Sequence, residues 1–195
     1  YLSMMADTRE TRAAACEVKF VIDGRLAPRV KEWARTHLQP DPHGAGPFGD
    51  EYRISTLHFD TRRFDVFHRN DSFGRAKYRV RRYGEASAVF FERKLRRPGL
   101  LIKRRTRDDI DALARLDDRI IDPDWAAHWF QRRLVVRSLR PVCQISYQRT
   151  ARIARTTEGL VRLTLDAGLR ATPVDSPRFE VDPAPEFLED RLVLE

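Results

Sequence analysis

Polar and apolar residues alternate with a period of two along much of the chain. This pattern is typical of β-strands, because successive side chains of a strand point to opposite faces. It predicts strands over Ala14–Asp23, Tyr52–Phe59, Arg140–Ile153, Gly159–Asp166 and Arg191–Glu195. Three more strands are predicted within residues 75–107, joined by turns at 83–87 and 97–99. The chain is therefore expected to contain about eight strands, most of them antiparallel.

Helical periodicity occupies two other stretches. Arg25–Leu38 repeats apolar residues at helical spacing and carries Pro28 near its start. Asp108–Leu139 reads as two helices, the second opened by Asp122-Pro123-Asp124. A loop rich in Pro and Gly separates elements at 39–50, and a short turn or helix begins at Asp60. The predicted class is α+β, with helices inserted among antiparallel strands.

At 195 residues the chain can form one large or two small domains. We expect a single domain over residues 14–195. Residues 1–13 are polar, and we expect them to be a disordered tail or residues added to the natural chain.

Charge is distributed very unevenly. Residues 75–107 contain 13 Lys or Arg against two acids, a local charge of +11. The whole chain, with 37 basic and 29 acidic residues, is only +8, so the remainder is −3. The function should therefore be sought in the basic segment.

Two interpretations of that segment are open. Charges at alternate strand positions often mark the solvated face of a half-buried sheet. Like charges on neighbouring strands repel, however, and Arg forms forked hydrogen bonds to phosphate or carboxylate oxygens. A polyanion lying on the face would explain both. The sheet could be flat with its charges in water, or a closed barrel with its charges inward, where they would need an anionic ligand.

Several classes of protein are disfavoured by what the sequence lacks. It contains no apolar run of the ~20 residues needed to span a bilayer, and its first 15 residues have no apolar signal core. Cys16 and Cys143 are expected to be reduced core thiols of a cytoplasmic protein. Phosphate-loop and GxSxG motifs are absent, and neither the five His nor the two Cys have metal-ligand spacing. Any metal would then be held by carboxylates and ligand phosphates, which suits Mg²⁺ or Mn²⁺.

A set of short motifs resembles the VTC domain, the catalytic domain of the polyphosphate polymerase of the vacuolar transporter chaperone, a triphosphate tunnel metalloenzyme. The motifs, in chain order, are Glu17-x-Lys19-Phe20, residues 54–61 (ISTLHFDT), Lys77-x-Arg79-x-Arg81-x-Tyr83, Phe91-Glu92-Arg93-Lys94, Lys103-x-Arg105, Tyr147-x-Arg149, residues 161–166 (VRLTLD) and Val193-Leu194-Glu195. CYTH-type triphosphatases and class IV adenylate cyclases share the ExK motif and the basic strands. The IST-x-x-FDT and YxR motifs favour the VTC branch.

The resemblance implies a closed, eight-stranded antiparallel β-barrel, a triphosphate tunnel with helices packed outside. Its basic lining is expected to bind a triphosphate or polyphosphate chain, and the residues implied are Lys19, Arg79, Arg81, Lys94, Lys103, Arg105, Arg149 and Arg162. Tyr147 is expected to hydrogen-bond a phosphate oxygen. Glu195 matches the glutamate that holds the metal, Mn²⁺ or Mg²⁺, with Glu17 and Glu92 as acidic neighbours. Family members continue past this glutamate with further lysines, so we expect the last strand to be truncated.

The function implied is transfer of the γ-phosphoryl group of ATP to a growing polyphosphate chain. One alternative is a triphosphatase of the same fold, in which Glu17 or Glu92 would activate water. Another is a polyphosphate-binding or sensor module without turnover. The least favoured alternative is nucleic-acid binding, which fits the sequence pI near 10 and would use the aromatic residues of the basic segment for stacking: Tyr78, Tyr83, Phe90 and Phe91.

Overall fold

The structure is a computed structural model that describes residues 8–13, 17–98, 100–118, 120–157, 159–181 and 185–195. It contains ten strands and three α-helices in these ranges. The strands are β1 (Thr8–Ala13), β2 (Phe20–Asp23), β3 (Gln39–Pro40), β4 (Glu51–Asp60), β5 (Ala76–Tyr83), β6 (Ala88–Arg97), β7 (Leu100–Asp109), β8 (Arg140–Thr156), β9 (Gly159–Pro173) and β10 (Arg191–Leu194). The helices are α1 (Ala27–His37), α2 (Asp65–His68) and α3 (His128–Val136). Short 3-10 helices occupy Gly24–Leu26, Asp71–Arg75 and Ile110–Leu116.

The chain divides into two compact units, each assembled from three segments. Unit 1 contains the described residues of Tyr1–Ala15, Ser55–Ile145 and Thr172–Val181. Unit 2 contains those of Cys16–Ile54, Ser146–Ala171 and Asp182–Glu195. The strands β4, β8 and β9 contribute residues to both units. The single domain expected over residues 14–195 stays a prediction.

In unit 1 the hydrogen-bonded strand order is β1-β7-β6-β5-β4. The pairs β1–β7, β5–β6 and β6–β7 are antiparallel. Apolar residues of β4, β5 and β6 form a core with α3. Phe130 of that helix makes edge contacts with Phe59, Tyr78 and Phe91 at ring-centroid distances of 5.4–6.0 Å. The core of unit 1 therefore lies on the α3 side of the strands, and the alternate positions face away from it.

In unit 2 the order is β4-β8-β9-β10-β2, with β3 paired to β8. The strand β10 is antiparallel to both β2 and β9. Backbone hydrogen bonds between Thr164 and Glu195, at 2.8 and 2.9 Å, extend the β9–β10 pairing to the last residue. The predicted strand Arg191–Glu195 is confirmed, with β10 itself ending at Leu194.

The antiparallel character of the sheet and the inserted helices are confirmed, but closure into a barrel is not. Over the described residues, the recorded strand order is a path that begins at β1 and ends at β2. The eight-stranded closed tunnel stays a prediction from the family resemblance. No described helix is long and apolar enough to cross a bilayer.

Several predicted boundaries differ from the structure. The strand predicted over Ala14–Asp23 begins at Phe20, because β2 pairs with only the four residues of β10; residues 14–16 lie outside the described residues. Part of the expected loose tail, Thr8–Ala13, forms β1 instead. Pairing to an edge strand uses backbone groups and therefore needs no apolar pattern. The other residues of that tail, 1–7, are not described.

The region predicted to be helical over 108–139 also differs. The strand β7 continues to Asp109, whose carboxylate caps the following 3-10 helix by accepting a hydrogen bond from the Asp111 amide at 3.2 Å. The α-helix α3 begins at His128, later than predicted, because Asp122 forms a turn by accepting the Asp124 amide at 3.0 Å. The predicted helix Arg25–Leu38 is confirmed as α1 with a 3-10 turn before it.

Candidate active site

The basic segment folds into three neighbouring antiparallel strands, β5, β6 and β7, whose register sorts its side chains into two sets. Opposed residues on neighbouring strands lie on the same face, and so do residues two apart along a strand. One set packs into the core of unit 1, as Tyr78, Val80 and Phe91 do. The other set is called here the basic face. It consists of three rows, Lys77–Lys94–Lys103, Arg79–Glu92–Arg105 and Arg81–Phe90–Arg107.

The basic face holds seven cationic side chains, one carboxylate and one aromatic ring. The alternation predicted from the sequence is confirmed by burial along β5, where Tyr78 and Val80 are buried while Lys77, Arg79 and Arg81 are not. Neighbouring rows are about 6.7 Å apart, the distance spanned by two residues of a strand. The face therefore presents positive charge over about 13 Å from the first row to the third.

Glu92 lies at the centre of this face with its side chain fully buried. Its Oε2 accepts a hydrogen bond from Arg79 Nε at 2.7 Å, and its Oε1 accepts one from Arg105 Nε at 2.8 Å. Lys103 Nζ lies 3.8 Å from Oε1. One carboxylate thus orients cations from the two strands on either side of it.

The charge state of Glu92 follows from these neighbours. Burial alone raises the pKa of a carboxyl group, but the positive charges of Arg79, Arg81, Arg105 and Lys103 outweigh it and lower the pKa of Glu92 to about 2. Glu92 is therefore ionised at neutral pH and is a weak base. With both oxygens accepting from arginines, its contacts favour a role in holding those arginines over the metal-neighbour and base roles predicted for it.

Two residues of β4 belong to the same surroundings, although the sequence analysis did not select them. Thr56 Oγ1 accepts a hydrogen bond from Arg81 Nε at 3.4 Å. Burial, together with the charges of Arg79, Arg81 and Lys77, lowers the pKa of His58 to about 3. His58 is therefore neutral at physiological pH and adds no positive charge. Thr56 and His58 lie two residues apart on β4, so the period-two alternation of residues 54–61 already indicates that they share a face of the strand.

Aromatic residues occupy one end of the basic face. The guanidinium carbon of Arg105 lies 4.1 Å from the centroid of the Phe90 ring, and Arg105 Nη2 donates to the Tyr83 hydroxyl at 2.7 Å. The Tyr83 and Phe90 rings meet edge to face at 5.4 Å. Burial raises the pKa of Tyr83, but Arg81 and Arg105 outweigh it, so the net shift is downward. Both rings have the strand parity of the arginines: Tyr83 ends the predicted motif Lys77-x-Arg79-x-Arg81-x-Tyr83, whereas Phe90 was not among the predicted site residues.

The other predicted site residues lie in unit 2, on β8, on β9, in the segment before β2 and directly after β10. Arg149 forms a bidentate pair with Asp166, in which Nε donates to Oδ1 and Nη2 to Oδ2, both at 2.7 Å. Both side chains are buried. Burial alone lowers the pKa of Arg149, but Asp166 and the neighbouring Tyr147 and Tyr52 raise it overall. Arg149 is thus held rigidly as a cation, with Tyr147 beside it at 5.3 Å from ring centroid to guanidinium carbon.

Arg162 also pairs with an acid that the sequence analysis did not select. Its Nη2 lies 2.9 Å from Asp41 Oδ2 and donates to the Tyr52 hydroxyl at 2.6 Å. Asp41 is buried, whereas the Arg162 side chain is 41% exposed. The loop that carries Asp41 has no periodicity, so only the folded chain reveals this pairing.

Lys19 bridges two of the predicted metal ligands. Its Nζ lies 2.9 Å from Glu17 Oε1 and 3.1 Å from Glu195 Oε2. Burial alone lowers the pKa of Lys19, but its hydrogen bonds to Glu17 and Glu195 outweigh this and raise it overall. The structure thus places both Glu17 and Glu195 within ion-pair distance of Lys19.

Glu17 and Glu195 fit a divalent cation that is bound partly by substrate. Magnesium is commonly held by one or two carboxylates together with phosphate oxygens and water. Within the parts of the chain that the structure describes, no three His, Cys, Asp or Glu side chains are grouped to bind a metal without such help. Glu92, the third predicted metal residue, lies in unit 1 among arginines.

Comparison with known proteins gives one family match. The family model described as the VTC domain matches residues 14–195. No curated protein matches the chain. Among solved structures, it is similar to a candidate adenylate cyclase from Bacillus halodurans, at 16% identity and a TM-score of 0.46, covering 97% of this chain and 79% of that one. It is also similar to a candidate adenylyl cyclase from Hippeastrum, described as having dominant triphosphatase activity, at 13% identity and a TM-score of 0.42, covering 91% and 76%.

Proposed function

Because this chain belongs to the VTC domain family, we propose that it is a metal-dependent phosphotransferase that lengthens polyphosphate with the γ-phosphoryl group of ATP. The observation that supports this best is the basic face, where seven Lys and Arg side chains surround the single carboxylate of Glu92. This excess of cations, with three lysines opposed across neighbouring strands, favours a bound polyanion over a merely solvated surface.

The chemistry of phosphoryl transfer matches what these residues can supply. The bond between the γ-phosphorus and its bridging oxygen to the β-phosphate breaks, and a bond forms to the terminal oxygen of the acceptor chain, releasing ADP. The protein mainly positions the phosphates and neutralises charge on their oxygens. Arg79 and Arg105, fixed by Glu92, are oriented before substrate binds, which reduces the entropic cost of binding.

In unit 2, Arg149 and Arg162 would contribute further phosphate contacts, and Tyr147 a hydroxyl. Glu17 and Glu195 would hold Mn²⁺ or Mg²⁺ together with phosphate oxygens, and the ion would supply additional positive charge there. Lys19 would remain beside both carboxylates and limit their mutual repulsion.

A triphosphatase is the second candidate, and the exposure of Glu17 favours it. Hydrolysis needs a base close to the attacking water. Glu92 is poorly suited because both its oxygens accept from arginines and its pKa is about 2. The Glu17 side chain is 31% exposed and could reach solvent.

The products of a single reaction separate these functions. Purified protein is incubated with ATP and Mn²⁺ and assayed for long-chain polyphosphate by gel electrophoresis and for free phosphate. A polymerase yields polyphosphate and ADP, whereas a triphosphatase yields free phosphate. Absence of both products, with tripolyphosphate still bound, would overturn the enzymatic proposal in favour of a binding module.

A matched pair of variants tests whether the basic face is responsible. Arg81→Ala removes one arginine of the face, and we expect activity to fall on the order of 100-fold, as for loss of a charge-assisted phosphate contact. Arg62→Ala removes an exposed arginine outside the face and serves as the control. Equal activity in the two variants would contradict the proposal, as would binding of short duplex DNA in preference to tripolyphosphate.

A further inference from the structure

One position on the basic face is unsuited to binding phosphate. In the row Arg81–Phe90–Arg107, the central residue of β6 is aromatic, whereas the central residues of the other two rows are Lys94 and Glu92. Phe90 is half-buried and is not part of the core of unit 1. A phenyl ring on a face that binds anions calls for an explanation beyond phosphate contact.

The surroundings of Phe90 resemble a platform for a flat, polar ring. Arg105 covers the ring at 4.1 Å, and Tyr83 contacts its edge at 5.4 Å. Arg105 is itself fixed by hydrogen bonds to Glu92 and to the Tyr83 hydroxyl. Aromatic rings and arginine planes are the groups on which nucleobases stack in proteins, and such stacking is tolerant of base identity.

The order of the rows gives this platform a direction. Phe90 lies in the third row, the Glu92-centred row comes next, and the three lysines form the first row, with neighbouring rows about 6.7 Å apart. A nucleoside triphosphate is organised in the same way, with a flat base at one end and its most highly charged phosphate at the other. The face therefore matches an extended nucleotide in both chemistry and sequence of groups.

We propose that the platform formed by Phe90 and the Arg105 guanidinium that covers it, flanked by Tyr83 and the arginines of the Phe90 row, stacks the base of the nucleoside triphosphate, so that the γ-phosphate points to the lysine row. This inference rests on the proposed function. The larger ring system of a purine gains more from stacking than a pyrimidine does. Arg81 and Arg107 only donate hydrogen bonds, so they fit the N7 acceptor that adenine and guanine share. The site selects purines but does not distinguish ATP from GTP.

Phe90→Leu tests the proposal, because it removes the stacking surface and retains apolar bulk. The dissociation constants of ATP and of tripolyphosphate are measured by calorimetry for the wild type and the variant. Loss of one base stack should weaken ATP binding on the order of 10-fold and leave tripolyphosphate binding unchanged. In turnover, KM for ATP should rise by a similar factor while kcat stays within about 2-fold, since the base does not react. Phe90→Trp should restore ATP binding.

The control is Phe67→Leu. Phe67 belongs to unit 1, is 76% exposed and lies outside the basic face. If Phe90→Leu weakens ATP and tripolyphosphate equally, the ring only supports Arg105, and the proposal is overturned. Unchanged ATP binding overturns it too, as does a wild type that binds CTP as tightly as ATP. In each of these cases tripolyphosphate still binds the wild type, so the proposed function survives. A wild type that does not bind tripolyphosphate would overturn both.

Discussion

Glu92 shows how a single residue can organise a binding surface that it opposes in charge. A buried carboxylate is costly unless it is paired, and removal of one partner from a buried ion pair is strongly destabilising. Here two arginines and a lysine surround it, and the result is a set of cations held at fixed positions. The residue therefore connects the stability of β5–β7 to the geometry of the basic face.

Replacing Glu92 by Gln should destabilise the protein in a manner that depends on pH. The pKa of Glu92 is about 2 in the folded protein against an ordinary value of 4.5. Its ionised form therefore stabilises the fold above pH 4.5, and this contribution is lost as pH falls from 4.5 through 2. The shift corresponds to about 3 kcal/mol at neutral pH. We expect a loss of that order in the free energy of unfolding of Glu92→Gln at pH 7.

Urea denaturation at several pH values measures this directly. The difference between wild type and Glu92→Gln should be largest at pH 7 and should shrink as pH falls below 4.5, because other carboxylates titrate equally in both proteins. Glu85→Gln serves as the control, since the Glu85 side chain is 84% exposed. A difference that stays constant from pH 7 to pH 3 would show that the charge of Glu92 is not what stabilises the fold.

For individual residues, the sequence predicted the phosphate-binding arginines more completely than the carboxylates that pair with them. Strand parity places Arg79, Arg81 and Arg105 on one face, because alternation is a local property. The carboxylates that hold Arg149 and Arg162 come from β9 and from a loop, at Asp166 and Asp41. Such pairings depend on which segments meet in the fold, and no local pattern encodes them.

Among the elements, the three strands β5, β6 and β7 share a row of lysines whose positive charges repel one another. Lys77, Lys94 and Lys103 lie opposite one another on adjacent strands. Like charges at directly opposed positions destabilise a sheet by some tenths of a kcal/mol each. Lys103 also lies 3.8 Å from the buried Glu92 carboxylate, so the row combines repulsion between its lysines with one attractive contact to that group.

The triple variant Lys77→Ala/Lys94→Ala/Lys103→Ala should therefore separate stability from binding. Without phosphate, the relief of repulsion between the lysines opposes the loss of the Lys103–Glu92 contact, so we expect its Tm to stay within a few degrees of that of the wild type. Tripolyphosphate should raise the Tm of the wild type by mass action and leave that of the variant almost unchanged. Differential scanning fluorimetry with and without tripolyphosphate measures both effects.

The control for this variant removes three exposed arginines of unit 1 that lie outside the face, in Arg62→Ala/Arg132→Ala/Arg133→Ala. It has the same change in net charge and should retain the shift in Tm caused by tripolyphosphate. If both triple variants lose the shift equally, the anion is attracted by overall charge and not by the lysine row.

Elements with a strong internal pattern were predicted well, and those defined by partners were not. The strand β4 and the helix α1 are confirmed close to their predicted ends, because their periodicity is unbroken. The strand β9 runs to Pro173, beyond the predicted end at Asp166, and β2 is shorter than predicted. Strand length is set by the available hydrogen-bonding partner, which the sequence of the strand does not reveal.

At the scale of the whole molecule, the predicted phosphate-binding residues are shared between two compact units. Unit 1 holds the basic face, and unit 2 holds Lys19, Arg149 and Arg162. Each unit also supplies its own carboxylates to these cations. The closed tunnel implied by the family resemblance requires that residues of both units contact one phosphate chain.

Hydrogen–deuterium exchange in the presence of tripolyphosphate tests that requirement. If one chain is bound by both units, amides of β5–β7 in unit 1 and of β8–β9 in unit 2 should both exchange more slowly, because a ligand that binds only the native arrangement suppresses opening of every element it contacts. Orthophosphate at equal ionic strength controls for general salt effects, since a single phosphate spans only a part of the ~13 Å between the outer rows of the basic face.

Protection confined to β5–β7 would mean that the basic face binds the anion alone, and the tunnel prediction would then be wrong for this chain. Protection of both strand groups in the wild type would instead indicate that unit 2 binds the same ligand. That protection should be lost in Arg149→Lys, because lysine cannot reproduce the bidentate pair with Asp166 that fixes the arginine.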